Sequence, residues 1–312
     1  MQTLSLFPEP ESPLPAGIAR LAAAAEPLET RNVVAYAELE ARSILSRCTS
    51  ARVPFDWTLN PYRGCEFGCH YCYARYTHEF MELRGSHDFE RKIFIKRRAA
   101  ALLRRDLRKV GAHQSIAIGT ATDPYQPAER DFRVTQSLLE VFAEQRDRNL
   151  GLITKSALIT RDLDVLKRVA ARNRLRIRLT ITTLDASLAR ALEPRAPRPD
   201  LRLAALAKLA AAGLEVGVMC APVLPAITDS RPALEALAYA ARAAGARFFS
   251  ANPLFLQPAA QARFFPFLET QFPDLVSRYR RAYARSPYLR GEYPRLLQAR
   301  VARIRAAAGF PA

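Results

Sequence analysis

Short apolar runs alternate with longer amphipathic segments along most of the chain. The short runs are rich in β-branched and aromatic residues, and the longer segments repeat their apolar positions at helical spacing. This alternation is typical of βαβ units that build a parallel sheet. The predicted strands are 57–60, 115–119, 150–154, 175–182, 214–220 and 246–252. The predicted helices between them are 98–110, 134–145, 162–173, 200–212 and 231–244.

Six strands connected in this way predict an α/β fold, an incomplete (β/α)6 barrel over residues 33–256. Residues 1–32 are rich in Pro, Glu and Ala and predict a mobile N-terminal arm, with a short helix at 16–25. Residues 33–47, at the start of the barrel region, carry a mixed helical pattern. Residues 257–312 predict a helical extension whose aromatic side chains can pack against the barrel.

The composition fits one large domain with a strongly basic surface. The chain has 312 residues, of which 49% are hydrophobic, so a sizeable core can form. Its 47 Lys and Arg against 30 Asp and Glu give a net charge of +17, which attracts polyanions. A GC-biased genome, which enriches a protein in arginine, explains the surplus of positive charge equally well, and the arginines would then be merely solvated. Neither a signal sequence nor a membrane span is predicted, and we expect a cytoplasmic protein.

Three of the five cysteines lie in one short stretch with the spacing C-x3-C-x2-C: Cys65, Cys69 and Cys72. Thiolates bind soft metals strongly, and Gly64 and Gly68 allow the backbone to turn tightly between them. A cluster of four irons usually takes four cysteines, so three would leave one iron open to a substrate or cofactor. The stretch follows the first predicted strand, which places it at the carboxyl end of the barrel.

A structural zinc site is the main alternative for these cysteines. Zinc takes four ligands, and the usual second pair of cysteines is missing from the chain. His70, His78 or His87 would complete a Cys3His site. This alternative corresponds to a non-catalytic nucleic-acid-binding protein that carries zinc or a cluster.

With Tyr71 before the last cysteine, C-x3-C-x-aromatic-C resembles the signature of the radical S-adenosylmethionine (radical SAM) superfamily. The flanking N-P-Y-R-G-C and Y-C-Y-A-R resemble its spore photoproduct lyase-like branch. The resemblance implies a 4Fe-4S cluster on Cys65, Cys69 and Cys72, with S-adenosyl-L-methionine chelated by the fourth iron. It implies reductive cleavage to a 5′-deoxyadenosyl radical that abstracts hydrogen from a substrate. A flavodoxin- or ferredoxin-type reductant is also implied.

Residues after the predicted strands are candidates for binding this cofactor. The resemblance implies that Gly119 and Thr120, after the second strand, contact the methionine amino group, although a turn stiffened by proline explains them as well. Arg195 suits the methionine carboxylate, and a surface pair with Glu193 is its alternative. The remaining candidates are Tyr71 in the motif, Lys155 at the end of the third strand, Thr182 and Thr183, whose hydroxyls suit ribose oxygens, and Val218, in the strand whose backbone suits adenine. For either threonine, a β-forming residue that faces a neighbour is the alternative.

Two further residues are candidates for direct catalysis. Cys220 ends a predicted strand, where a thiol facing the mouth would donate a hydrogen atom to a product radical. A free cysteine is, however, often a small buried hydrophobic residue. Tyr125 is a candidate for radical relay or substrate stacking, with packing as the alternative.

The sequence does not define the substrate, because one fold and cofactor serve many reactions. The photoproduct lyase-like resemblance and the basic charge suggest a nucleic-acid lesion or base, extruded from the helix. A small molecule or a protein side chain is the alternative. If they lie near the mouth, residues of an arginine-rich segment would bind the backbone: Arg97, Arg98, Arg104, Arg105, Arg108 and Lys109.

Overall fold

The computed structural model describes residues 15–111 and 113–311, which form two β-sheets and a layer of helices. The strands are β1 (Glu26–Arg31), β2 (Val34–Glu38), β3 (Leu45–Arg47), β4 (Trp57–Leu59), β5 (Tyr62–Arg63), β6 (Lys92–Ile95), β7 (Ser115–Ile118), β8 (Asn149–Thr154), β9 (Arg174–Thr180), β10 (Glu215–Val223) and β11 (Phe248–Pro253).

The helices precede β1, follow β11 and lie in most of the connections between strands from β5 onward. These are α1 (Gly17–Ala23), α2 (Tyr76–Glu79), α3 (Asp88–Arg91), α4 (Ala99–Asp106), α5 (Glu129–Phe132), α6 (Val134–Glu144), α7 (Leu163–Ala170), α8 (Ala186–Leu192), α9 (Pro199–Ala211), α10 (Arg231–Ala243), α11 (Pro258–Gln271), α12 (Val276–Tyr283) and α13 (Tyr293–Ala307). None of these helices is long and apolar enough to cross a membrane.

The main sheet confirms the predicted incomplete barrel. Six strands, β4, β7, β8, β9, β10 and β11, lie side by side in this order and are all parallel. The short strand β3 pairs antiparallel with β4 at one edge, and β11 forms the other edge. Consecutive strands are neighbours because each helical connection returns the chain to the same end of the sheet.

The two faces of the main sheet differ in burial. Fully buried side chains such as Leu152, Ile177 and Val218 alternate with partly exposed ones such as Ile153 and Arg178. The buried set belongs to one core with the apolar faces of α6, α7, α9 and α10. Side chains alternate between the faces of a strand, so the partly exposed set faces the other, concave side.

The sequence did not predict the second sheet, whose strand order is β1-β2-β6-β5. The predicted helix at 16–25 is present as α1, but β1 occupies 26–31, inside the predicted arm, and β2 lies where we expected a helical pattern. Both expectations are wrong there. β1 (E-P-L-E-T-R) lacks alternating apolar residues and depends on its pairing with β2. Residues 1–14 of the predicted arm lie outside the described residues.

The predicted C-terminal helical region is present, and its aromatic residues pack against the cysteine-containing loop. Cys65, Phe67, Cys69 and Tyr71 share a core with side chains from α11 and α12. These are Phe264, Phe265, Phe267, Leu268, Tyr279 and Tyr283. α13 packs instead against β11 and α10 on the helix-facing side of the main sheet. The C-terminal region therefore contributes to both cores.

Gly64, which precedes the first cysteine, is held where no larger residue fits. Its φ is +83°, and a Cβ would lie 2.8 Å from the carbonyl oxygen of Lys92 and 2.9 Å from that of Phe89. Gly213 after α9 has a similar φ, +82°, but a Cβ there would meet nothing within 4 Å. Substitutions at these two positions therefore differ in steric conflict but share the strain of a left-handed backbone.

We expect Gly64→Ala to destabilise the protein more than Gly213→Ala does. Both variants bear the strain of a left-handed backbone, about 1–2 kcal/mol. Only Gly64→Ala adds a conflict with main-chain oxygens, about 1–3 kcal/mol more. Urea unfolding of the two variants measures the difference. Equal losses would show that the loop moves freely away from β6.

Candidate active site

The cluster loop, residues 64–72, is fixed to the barrel by its main chain. The amide of Cys65 donates to the carbonyl of Phe89 at 2.9 Å, and the amide of His70 donates to that of Leu192 at 3.0 Å. The guanidinium of Arg75 donates to the carbonyl of Cys69 at 3.3 Å. These contacts involve three different parts of the chain, so the loop is not a free surface turn.

The segment after β7 also binds the cluster loop, through side chains. The hydroxyl of Thr122 donates to the carbonyl of Gly64 at 2.6 Å, and the amide side chain of Gln126 donates to the same oxygen at 3.1 Å. The Gln126 side-chain oxygen accepts from the amide of Glu66 at 3.0 Å. T-D-P-Y-Q-P is therefore a support for the loop, and not only a stiff turn.

The three thiols of the loop fit an iron–sulfur cluster. Cys65 and Cys69 are buried, Cys72 is partly buried, and all three are free. Burial raises the pKa of each thiol, that of Cys69 to about 12. The positive charge of Lys155 partly offsets this rise for Cys69 and Cys72. Such thiols become ligands when a strongly positive centre displaces their protons. Shielding of this kind also suits a cluster that water and oxygen damage.

The described residues do not support a zinc site. Among them, no three His, Cys, Asp or Glu side chains converge as ligands of a single ion. The ring of His70 stacks on Phe267 with 4.6 Å between centroids, and His87 pairs with Glu90 at 3.0 Å. His78 bonds the carbonyl of Lys92. Zinc requires convergence on one point, whereas the cysteines of a 4Fe-4S cluster bind different irons.

A buried polar network centres on Glu193, which is 2% exposed. The hydroxyl of Tyr71 donates to its carboxylate, and the Thr182 hydroxyl lies 3.2 Å from the oxygens of both Tyr71 and Glu193. The ammonium of Lys155 is 4.0 Å from the carboxylate and 5.7 Å from the Tyr71 ring centroid. Three predicted cofactor-binding residues, Tyr71, Lys155 and Thr182, are thus brought together beside Cys69.

Glu193 keeps its charge because of a residue that the sequence analysis missed, Arg202 of α9. Arg202 is 1% exposed, pairs with the carboxylate and donates to the carbonyl of Thr180 at 2.9 Å. Burial opposes ionisation of Glu193, but the charges of Arg202 and Lys155 outweigh it and lower its pKa. The surface pair considered between Glu193 and Arg195 is absent among the ion pairs of the described chain; Glu193 pairs with Arg202 instead.

Arg195 is exposed and lies over Gly68 of the cluster loop. A Cβ on Gly68 would be 3.1 Å from its guanidinium, and its amide donates to the carbonyl of Phe67 at 3.2 Å. Within the described ranges it has no acidic partner within 4 Å. A guanidinium in this position is available to a carboxylate ligand.

Gly119 and Thr120 lie at the carboxyl end of β7, as predicted. Contacts within the protein explain why position 119 is a glycine and what the Thr120 hydroxyl binds. A Cβ on Gly119 would lie 2.6 Å from both the Pro124 ring and the carbonyl of Ile153. The Thr120 hydroxyl accepts from Asn60 at 3.2 Å. Thr183 accepts from the amide of Asp185 at 3.1 Å, which explains it as a turn residue before α8.

Asp123 is more than the predicted turn cap. Its carboxylate accepts from the Thr154 hydroxyl at 2.6 Å and from the amides of Tyr125 and Lys155 at 2.9 and 2.7 Å. It therefore joins the carboxyl end of β8 to the segment that supports the cluster loop.

Val218 and Cys220 are not brought to the concave side. Both are fully buried in the core with the outer helices, and the thiol of Cys220 faces the carbonyl of Thr182 at 3.7 Å. Their neighbours Gly217 and Met219 occupy the concave face instead, because strand residues alternate. Tyr125 is also in this core, 1% exposed. Their roles in adenine binding and catalysis stay predictions, and this placement gives them no support.

Most of the arginine-rich helix lies away from the mouth. α4 begins after β6, near Asn60, and its other end approaches the start of β7. Four of the basic residues lie in or just after that far end: Arg104, Arg105, Arg108 and Lys109. Arg104 pairs there with Glu144, which ends α6, at 2.7 Å. Arg97, closer to the mouth, pairs with Glu38 at 3.6 Å. Arg104, Arg105, Arg108 and Lys109 therefore do not meet the condition for nucleic-acid binding, whereas Arg97 and Arg98, exposed at the start of the helix, lie towards the mouth.

Comparison with known proteins agrees with this site. The sequence model of the radical SAM superfamily matches residues 59–237. Uncharacterized protein Rv2578c of Mycobacterium tuberculosis is 36% identical over 271 residues, which are 86% of this chain and 79% of that protein. Uncharacterized protein MJ0683 of Methanocaldococcus jannaschii is 27% identical over 173 residues, 55% of this chain and 62% of that protein.

A solved structure of spore photoproduct lyase with bound AdoMet and dinucleoside spore photoproduct has the same fold. The TM-score is 0.62 at 15% identity, over 99% of this chain and 85% of that one. This chain belongs to the radical SAM superfamily. It is an enzyme of the radical SAM type, and its cofactors are a 4Fe-4S cluster and S-adenosylmethionine. Enzymes of this kind need a reductant.

The Glu193–Arg202 pair predicts a specific pattern of stability. Glu193→Gln leaves two cations buried without a counter-charge, and breaking such a pair costs about 3–5 kcal/mol. Replacing both partners, Glu193→Gln with Arg202→Met, removes one of the stranded charges and should recover part of the loss. The midpoints of urea unfolding measure both effects. A single variant as stable as the wild type would show that the network does not hold the site together.

Proposed function

We propose that Cys65, Cys69 and Cys72 hold three irons of a 4Fe-4S cluster, with S-adenosylmethionine at the fourth. The observation that carries the proposal is the position of the three free thiols. They lie on one anchored loop at the carboxyl end of the parallel sheet, beside the Glu193 network. When bound, the two cofactors supply a 5′-deoxyadenosyl radical that abstracts hydrogen from the substrate.

The residues around the loop have distinct parts in holding the cofactor. Arg195 would bind the methionine carboxylate through its unpaired guanidinium, in the planar geometry that suits this group. Lys155 and Thr182 line the site next to Cys69 and would bind ribose or carboxylate oxygens. Tyr71, fixed by Glu193, keeps water from one side of the loop. Gly119 and Thr120 remain candidates for the methionine amino group through their main chain.

We further propose that the substrate is a nucleic-acid base or lesion held on the concave side of the sheet. That side carries Arg178, which has no acidic side chain within 4 Å in the described chain. The Arg178 guanidinium lies 5.4 Å from the ring centroid of Phe248, and that of Arg176, which pairs with Glu215, lies 5.6 Å from it. Cations beside an aromatic face suit a phosphate joined to a flat base. The net charge of +17 supports the same substrate class.

An electron must reach the cluster from outside the chain. We propose a flavodoxin- or ferredoxin-type donor, because such small electron carriers are generally acidic and this chain is strongly basic.

The substrate proposal is tested by following hydrogen from the substrate into the cofactor product. The reconstituted enzyme is given S-adenosylmethionine and fully deuterated DNA or RNA, with and without ultraviolet irradiation. We expect deuterium in the 5′-deoxyadenosine or in recovered S-adenosylmethionine, detected by mass spectrometry. Deuterated protein digest and metabolite extract are the controls. Deuterium transfer from the protein digest or the metabolite extract, with none from nucleic acid, would show that the substrate is a protein or a small molecule instead.

A further inference from the structure

Two cations beside the cluster loop lack a negative partner in the part of the chain that the structure describes. Arg63 ends β5, two residues before Cys65, and Lys96 directly follows β6. No carboxylate of the described residues acts on either of them. We propose that Arg63 and Lys96 form a binding site for a phosphate group of the substrate.

The pairing of β5 with β6 brings the two side chains together. Arg63 lies opposite Phe94, and the amide of Lys96 donates to the carbonyl of Pro61 at 3.4 Å, which continues the ladder. Arg63 and Lys96 are therefore diagonal neighbours on one face of the second sheet, about 7–8 Å apart at their main chains. Tyr62 points to the other face and is buried in the main core. Two long cationic side chains at this spacing can reach the same anion.

Both side chains keep hydrogen-bond donors free. Lys96 is 7% exposed, and its ammonium donates to the carbonyl of Asn60 at 2.7 Å, which uses one of three donors. Arg63 is partly exposed, and its Nε is buried without a partner among the described residues. A guanidinium offers five donors in a planar fork. Burying a cation without a counter-charge is costly, so these free donors indicate a ligand that supplies the charge.

The local electrostatics agree with a missing anion. Burial, and then the positive charge of Arg63, lower the pKa of Lys96 to about 7. Burial also lowers the pKa of Arg63, and only the nearby phenol of Tyr76 opposes this effect. An anion bound between the two cations would stabilise the charge on both.

The Glu193 network shows the same chemistry in its complete form. There an arginine and a lysine share one buried carboxylate: Arg202 pairs with it, and Lys155 lies 4.0 Å from it. At Arg63 and Lys96 an arginine and a lysine again lie together, but the described chain contributes no carboxylate. The negative group at this second pair is therefore expected from a bound molecule.

The site lies at the mouth of the barrel. Asn60, which accepts from Lys96, follows β4 and accepts from the amide of Ala121 at 2.8 Å, just beyond the carboxyl end of β7. Arg63 is separated from Cys65 only by Gly64. A phosphate held here lies beside the cluster loop. Arg63 and Lys96 are thus positioning residues that would fix the substrate relative to the radical.

The donors suit a phosphate ester. A planar guanidinium binds two phosphate oxygens at once, and an ammonium adds a compact charge on a third side. The carboxylate of S-adenosylmethionine offers a similar anion, but Arg195 and Lys155 are already available to it beside Gly68 and Cys69. This inference deepens the proposed nucleic-acid substrate and rests on it for the source of the phosphate.

The test compares two ligands that differ in one charge. A thymidine dinucleotide with one phosphodiester and its neutral methylphosphonate counterpart are titrated calorimetrically into the reconstituted protein. We expect the wild type to prefer the diester. Lys96→Met should weaken diester binding about 10- to 150-fold, the loss typical of a charge-assisted hydrogen bond, and leave the neutral analogue unaffected. Arg63→Gln should act in the same direction.

A matched control removes a cation elsewhere. Arg247→Gln replaces an exposed arginine next to the amino end of β11, at the opposite end of the sheet, and should bind both ligands like the wild type. Equal weakening by Arg247→Gln would show a general effect of charge and overturn the site.

Thermal unfolding gives a second readout that a purely structural role would not move. Inorganic phosphate, compared with chloride at equal ionic strength, should raise the melting temperature of the wild type, because a ligand of the folded state stabilises it. The increase should disappear in Lys96→Met and in Arg63→Gln. Arg63 is partly exposed, so Arg63→Gln keeps the test decisive if Lys96→Met folds poorly.

Three results would overturn the inference. The first is a wild type that binds the diester and the neutral analogue equally well. The second is diester binding by Arg63→Gln and Lys96→Met as tight as that of the wild type. The third is loss of S-adenosylmethionine binding in these variants with dinucleotide binding intact, which would assign the two cations to the cofactor.

The outcomes also separate this inference from the proposed function. Formation of 5′-deoxyadenosine without a preference for the diester would reject the phosphate site and leave the radical chemistry intact. A preference that depends on Arg63 and Lys96, with no deuterium transfer from nucleic acid, would support the phosphate site and assign it to another phosphate ester.

Discussion

The buried carboxylate of Glu193 is the interaction on which the rest of the site depends. It joins the cluster loop through Tyr71, strand β8 through Lys155, and helix α9 through Arg202. A buried charge is costly unless it is paired and hydrogen-bonded, and here two cations and two hydroxyls surround it. Because the partners come from separate βα units, the network forms only when the barrel is assembled. Folding and formation of the site are thereby the same event.

Buried polar contacts of the same kind also hold the cluster loop in place. Asp123 joins the ends of β7 and β8, and Gln126 binds the loop through the carbonyl of Gly64 and the amide of Glu66. Buried polar groups are thus satisfied by one another, and each contact limits where the thiols can lie. A cofactor that generates a radical needs this rigidity, because a loosely held radical would attack the protein itself.

The sequence predicted the parts of the fold that depend on local pattern. The parallel strands β4, β7, β8, β9, β10 and β11 are visible in the sequence because the residues that face the core are apolar. Strand β1 was missed, since its residues are polar and its stability comes from pairing with β2. The cysteines and Tyr71 were recognisable from their spacing alone.

Other features could not be read from the sequence because they depend on register or on distant contacts. Whether Cys220 faces the mouth or the helices is decided by a shift of one residue along β10. Arg202 looks like one more arginine on a basic helix, and only the packed structure shows it paired with Glu193. The contacts among Arg52, Tyr73, Phe255 and Tyr288 join segments that are far apart in the chain. No spacing rule connects such residues.

The central claim is that Cys65, Cys69 and Cys72 hold a cluster that reacts with S-adenosylmethionine. The most direct test is to purify the protein without oxygen, reconstitute it with iron and sulfide, reduce it with dithionite, and measure 5′-deoxyadenosine formed from S-adenosylmethionine. The account predicts product from the wild type and none from Cys69→Ala. A colourless protein with one equivalent of zinc and no product would contradict it.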